Sequence, residues 1–190
     1  MAIRELALYV SAASEMDAEC ELLGRMLANM PKGIRWLIKR TPGSFDPAVV
    51  DLETLRQSDF FLLLLGMDAV APIGIEWREA HHRVAQHYCY HCQDRTPSPA
   101  ATHFMRNEGI HWTEYGTPHA FIRHFEPRLI TELVQGTPGY GLDMDDIRAL
   151  TERLAELEAD DDEHGVDGEA DDDRRRGAGH GGVILRAPGG

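Results

Sequence analysis

The stretch Asp59-Phe60-Phe61-Leu62-Leu63-Leu64-Leu65-Gly66 decides the fold. Six consecutive apolar residues, opened by an acid and closed by a glycine, lack the alternation of a half-exposed strand and are too few for a helix. They describe a strand covered on both faces, as a central strand of a parallel sheet is. A parallel sheet needs crossover segments, so helices are expected on either side of this stretch.

Upstream, Leu6-Ala7-Leu8-Tyr9-Val10 is a short β-favouring run that stops at the small residues Ser11-Ala12-Ala13-Ser14. Ser14 is the expected N-cap of a following helix, with Asp17 three residues on in a capping-box arrangement and Pro31-Lys32-Gly33 as its end. Residues 34–38 form the second expected strand. A short helix is expected over 47–57, with Pro47 in its first turn and Val50, Leu52 and Leu55 inward. Downstream, a loop over 67–74 holds Pro72 and Gly74, and a helix is expected over 75–90. Weak strands are expected near 100–105 and 109–112. Pro118 opens an amphipathic helix through Phe121, Ile122, Phe125, Leu129, Ile130 and Leu133, which Pro127 is expected to kink or split. Strand and helix alternate throughout, which predicts an α/β fold: an open, mostly parallel sheet of four to five strands with helices on both faces.

The chain of 190 residues carries one sizeable core at most. We expect a domain over 1–140 and an amphipathic helix over 141–159, striped by Ile147, Leu150, Leu154 and Leu157. Residues 160–190 are rich in Asp, Gly and Arg and are expected to be disordered. The formal net charge of −13 divides about evenly between 1–150 (20 acidic, 14 basic residues) and 151–190 (12 acidic, 5 basic). Both parts would repel a phosphate backbone, which excludes nucleic acid as an expected partner. The apolar run 60–65 falls far short of the roughly 20 residues of a membrane span, so no membrane partner is expected. Acids stand near the N-terminus where a secretory leader would be basic, and the cysteine count, three, is odd. A cytoplasmic protein is the expectation.

In an open α/β sheet, ligands bind outside the carboxyl ends of the strands. The residues expected there are Ser11 and Ser14 after the first strand, Gly66 and Asp68 after the third, and Glu76 at the start of the helix that follows. A rigidly held carboxylate beside a glycine turn can stabilise or trap an oxocarbenium ion at a sugar C1′. Hydroxyls and free amides at a helix start can hold phosphate or ribose. Arg83, seven residues after Glu76 and on the same nominal helical face, is a candidate phosphate contact. Each has a plainer role. Glu76 suits a solvated first turn, Ser14 is accounted for by capping, Asp59 suits backbone amides at a strand start, and Arg83 suits a surface ion pair. Cys89-x-x-Cys92 among His81, His82, His87 and His91 is half of a zinc knuckle with no second half, so no metal site is expected.

The order of these pieces resembles a TIR-like family of unknown function found at the N-termini of bacterial STAND NTPases and TPR proteins. Members typically open with a strand ending in Val-Ser-Ser-Thr, followed on the helix by an Asp and a Glu. Here the strand ends Val10-Ser11-Ala12-Ala13-Ser14, with Asp17 and then Glu19 or Glu21. The family is related in pattern to TIR domains and nucleoside 2-deoxyribosyltransferases. Glu76-Trp77-Arg78-Glu79-Ala80 matches their catalytic glutamate with alanine four residues on, and Asp59 the acid that opens the preceding strand. Ile110-His111-Trp112-Thr113-Glu114-Tyr115 and the helix after it resemble the closing strand and helix, so the likeness covers about residues 5–135.

The resemblance implies a flavodoxin/TIR-like fold and a nucleotide ligand, NAD-type, whose N-glycosidic bond is cleaved with Glu76 as the catalytic carboxylate. Ser11, Ser14, Gly66, Asp68 and Arg83 would line the nucleotide, and no further cofactor is needed. The setting implied is bacterial signalling or defence, with a homo-oligomer or a sensor protein as partner. The Ser-Ser-Thr triplet is replaced by Ser11-Ala12-Ala13, and Pro72-Ile73-Gly74 stands where members carry a Ser or Thr. These losses favour the alternative implied by the same family, a non-catalytic interaction or self-assembly module.

Overall fold

The computed structural model describes residues 4–41, 50–69, 71–107, 109–136 and 140–165. The chain divides into two compact units, Met1–Leu154 and Ala155–Gly190, and in the second only the helical residues 155–165 are described. Strand β1 spans Arg4–Ala12, β2 Ile34–Arg40, β3 Phe60–Leu65, β4 Gln86–Cys92 and β5 Thr113–Tyr115. Helix α1 spans Asp17–Ala28, α2 Leu52–Arg56, α3 Ala71–Arg83, α4 Pro99–Asn107, α5 Pro118–Gln135 and α6 Met144–Gly165. A single 3₁₀ turn, Ser14–Met16, joins β1 to α1.

The five strands form one all-parallel sheet in the order β2-β1-β3-β4-β5. This is the doubly wound order whose strand sequence reverses between β1 and β3. The 60–65 run is β3, and every one of its residues is buried. Its odd residues Phe61 and Leu63 join Tyr9, Cys89, Ile73, Trp77 and Ala80 in the core under α2 and α3. On the other face, Tyr88 packs edge-on against Phe125 and Tyr90 against Phe121, beneath α5. Helix α1 lies beside α5 on that face. Asp59 takes its plainer role, since its carboxylate accepts the Ala7 N–H at 2.8 Å and ties the start of β3 to β1.

The structure corrects the sequence expectations in four places. Ser14 is the first residue of the 3₁₀ turn, and neither that turn nor α1 has a side-chain cap; Ala13 and Met16 occupy the capping positions. The expected helix over 75–90 is two elements, α3, which starts at Ala71 inside the expected 67–74 loop, and the interior strand β4, joined by Val84 and Ala85 with no Gly or Pro to mark the break. The expected strand over 100–105 is helix α4. Ser98 accepts the Ala101 N–H at 3.1 Å and Pro99 occupies the first helical position, a start signal present in the sequence. The closing strand falls at Thr113–Tyr115, just past the expected 109–112. Helix α5 starts where expected, capped by Thr117, and runs on through Pro127 without splitting.

Helix α2 begins at Leu52 and is capped by Asp51, while Pro47, its expected first-turn residue, lies outside the described residues. So does the expected disordered tail from residue 166 on. No helix among the described residues is long and apolar enough to cross a membrane.

Candidate functional site

Helix α3 turns Ile73, Glu76, Trp77 and Ala80 toward the sheet at the i, i+3, i+4, i+7 spacing of a buried stripe. Glu76 is therefore not the solvated first-turn acid of the plainer expectation; it is 0% exposed. Three hydroxyls meet its carboxylate. The Tyr9 phenol donates to Oε1 at 2.8 Å, and Ser11 Oγ and Thr41 Oγ1 donate to Oε2 at 2.6 and 2.8 Å. Thr41 Oγ1 also accepts the Ala12 N–H at 3.1 Å, and the Thr41 N–H is bonded to the Val10 carbonyl at 2.9 Å. The hydroxyl is thus fixed from the backbone side.

The strand geometry explains this convergence. Tyr9 and Ser11 are two residues apart on β1 and so share a face. The β1–β2 register pairs Val10 with Arg40, which delivers Thr41 to the level of Ser11. Helix α3 then lays Glu76 across the carboxyl end of β1, at the reversal point between β1 and β3. A carboxylate has about four acceptor positions. The three hydroxyls occupy two on Oε2 and one on Oε1, which leaves one on Oε1. Burial, then the charge of Glu76, raises the Tyr9 phenol well above the usual tyrosine range, so it remains a donor.

Of the residues singled out by sequence, the structure unites Ser11 with Glu76, although 65 positions separate them. Gly66 closes β3 against the start of α1. A Cβ there would stand 2.8 Å from the Met16 sulfur and 3.0 Å from the Glu15 carboxylate, so the position admits only glycine without a shift. Asp68 is exposed at the same end of the sheet and accepts from Ser98 Oγ at 2.6 Å, which fastens the loop after β3 to the start of α4. Ser14 stands in the 3₁₀ turn after β1.

Arg83 is not brought to the site. Seven helical residues carry it roughly 10 Å along the α3 axis from Glu76, to the end where β4 begins. There it is exposed and 3.7 Å from Glu79, which also pairs with Arg56 at 2.6 Å. Tyr9 and Thr41 are the residues that sequence reasoning missed. The two-residue spacing to Ser11 would have found Tyr9; finding Thr41 needs the strand register.

The Cys89-x-x-Cys92 pair lies on a strand, where a three-residue spacing sends the two thiols to opposite faces. Cys89 belongs to the core under α3, and burial pushes its thiol up to about 12. Cys92 approaches the Gly116 carbonyl at 3.9 Å on the other side. All three cysteines are unpaired, and burial raises Cys20 to about 11. An open cleft of about 400 Å³, lined by Pro97, Pro99, Thr102, His103 and Arg106, runs along the outer stripe of α4 and includes none of the residues above.

No family model and no curated protein matches the chain.

Proposed function

We propose that this chain is a TIR-like nucleotide-binding domain that cleaves the N-glycosidic bond of NAD or a related nucleotide, in a cytoplasmic signalling or defence setting. The observation that supports the reading is the single carboxylate of Glu76 held by Tyr9, Ser11 and Thr41 at the carboxyl edge of the sheet, where doubly wound folds bind ligands. Hydroxyl clamps of this kind fix both oxygens before substrate arrives, which is the preorganisation that electrostatic catalysis requires.

The chemistry follows from the open acceptor position on Oε1. Directed at the ribosyl C1′, the carboxylate stabilises positive charge as the C1′–N bond breaks and its electron pair leaves with the nicotinamide, which becomes neutral. Water then adds to C1′ and releases a proton. The leaving group already bears a positive charge, so the step uses no metal. Ser11, whose one proton goes to Glu76, is assigned to accept from a ribose hydroxyl, Ser14 to ribose or phosphate, Gly66 to close approach of the ligand, and Asp68 to a ribose hydroxyl. Glu76 is fully covered in the structure, so binding includes displacement of the side chains over it.

The test is nicotinamide release from NAD by concentrated protein, wild type beside Glu76→Gln. Release that the variant loses by about 100-fold or more supports the proposal. Absence of release from the wild type, at concentrations that permit self-association, overturns it.

A second reading, a non-catalytic interaction module, is favoured by one feature. Strand β2 forms an edge of the sheet and leaves Leu37 49% and Ile38 44% exposed. Under it, Glu76 is a structural buried acid and β2 pairs with another copy or with a sensor protein. Sedimentation of the wild type beside Ile38→Lys distinguishes the two: an assembly that the variant dissolves, without any nicotinamide release, selects this reading.

A further inference from the structure

At the carboxyl end of β4, on the same sheet face as Ser11 and Glu76, the imidazole of His91 is 93% buried. Neither of its ring nitrogens has a hydrogen-bond partner. The adjacent indole of Trp112, edge-on at 6.5 Å between ring centroids, also buries its Nε1 without a partner. Native proteins leave few such groups unsatisfied, and three nitrogens from two neighbouring rings form a concentration that packing alone does not explain. Trp112 and Phe104 are only partly buried and stand edge-on at 6.3 Å. Helix α4, which carries Phe104, has Ala101 as its one fully buried residue among those described.

The donors and acceptors specify a ligand. Trp112 Nε1 only donates, while a neutral imidazole donates from one nitrogen and accepts at the other. Burial, opposed by the charge of Glu114, lowers the His91 proton affinity and so favours the neutral ring. A complementary group therefore presents an acceptor next to a donor on a flat ring that lies against half-exposed aromatics. An aromatic primary carboxamide has this pattern. The position is also right. Ser11 pairs with Leu63, and His91 with Leu65, on the neighbouring strand. His91 thus lies about 10 Å across the sheet and about 7 Å further along it from Ser11. A carboxylate contact to C1′, a pyridine ring and one hydrogen bond together cover a span of that order.

We propose that His91 and Trp112 line the subsite for the base of the nucleotide, accepting a flat heteroaromatic carboxamide of the nicotinamide class, an inference that rests on the glycosidic-bond reading of Glu76. The half-exposed rings of Phe104 and Trp112 border it. The Trp112 N–H and the His91 N–H donate to the carboxamide oxygen, and the free His91 nitrogen accepts from the ligand or from a water it retains.

The experiment titrates the full chain with nicotinamide alone and, separately, with pyridine, following the Trp112 indole N–H and the His91 ring nitrogens by NMR. The indole signal is assigned by its loss in Trp112→Phe. Nicotinamide is expected to move both sets of resonances, pyridine neither, and Trp112→Phe to weaken nicotinamide binding about tenfold. The assignment holds when Trp112→Phe leaves the Trp36 and Trp77 indole signals in place, and the titration itself is made on the wild type. Resonances that stay fixed at saturating nicotinamide overturn the subsite, as do equal shifts from pyridine. NAD cleavage that depends on Glu76, with His91 and Trp112 unmoved, overturns this inference alone. Nicotinamide shifts without any cleavage overturn the glycosidic-bond reading and leave the base subsite standing.

Discussion

Two glutamates are completely buried on opposite faces of the same sheet, and they are built differently. Glu76, on the α3 face, has both oxygens held by hydroxyls from β1 and from the residue after β2. Glu19, on the α1 face, accepts one bond, from the Tyr115 phenol at 3.2 Å, and its second oxygen is buried without a partner. Removing a carboxylate from water costs several kcal/mol unless its acceptor positions are refilled. Three hydroxyls from two segments of the chain refill them for Glu76. Only β5 contributes for Glu19. The difference separates a polar centre that the fold is organised around from a buried acid that the fold tolerates.

The largest effect expected from breaking this contrast is at Glu76→Leu, which strands three buried hydroxyls. Denaturant unfolding should show a loss of about 3–5 kcal/mol. A loss below about 1 kcal/mol would mean that the three hydroxyls find other partners and that the centre is not organised as described. Tyr9→Phe removes one donor to the carboxylate and keeps the ring in the core beside Phe61, so a loss of about 1.5–3 kcal/mol is expected in the same measurement. At the other glutamate the sign reverses. Glu19→Gln keeps the shape, replaces a poorly partnered buried carboxyl group, and is expected to raise stability by about 1–2 kcal/mol. A thermal melt in which Glu19→Gln unfolds earlier than wild type would place the two centres on an equal footing.

The same contrast explains what was legible in the sequence. The run 60–65 fixed the central strand because burial on both faces leaves an unmistakable apolar pattern. Ser11 and Glu76 were visible as candidates because each follows a strand. Their meeting with Thr41 was not, since it depends on β1–β2 register, which no local pattern encodes. Strand β4 was hidden for a related reason. Its buried positions are Tyr88, Cys89, Tyr90, His91 and Cys92, and His and Cys in a strand look like a polar helix end until neighbours on both sides cover them. Pairing with β3 and β5 overrides local propensity there. Helix α4 is marked in the sequence by Ser98-Pro99, a start signal beside which the short apolar run over 100–105 also reads as a strand. Glu19 stands in the sequence as one of two acids, with Glu21, that match the first-helix glutamate of the resembled family, and nothing nearby marks it as buried, because its partner Tyr115 is 96 residues away.

The smallest effect expected concerns the histidines, and it sharpens the contrast by adding a third kind of buried polar group. Burial lowers the pKa of His91, opposed by the charge of Glu114 on β5; burial, then the charge of His81, lowers that of His87. A group whose folded value lies below its unfolded value of about 6.5 is neutral in the fold and charges more readily once unfolded. Its contribution is therefore intact above about pH 6.5 and is lost as pH falls, because the unfolded chain then binds the extra proton. One proton limits the slope to about 1.4 kcal/mol per pH unit. His91→Phe removes the more deeply buried of the two groups, so its unfolding free energy should fall less steeply than that of the wild type between neutral and mildly acidic pH. If the two profiles run parallel, the acid sensitivity belongs to His87, whose ring lies 5.7 Å from that of His81 beside Trp77. A flatter profile for His91→Phe would instead set His91 apart from both glutamates: a group that the fold keeps uncharged, with two nitrogens in hand for a ligand.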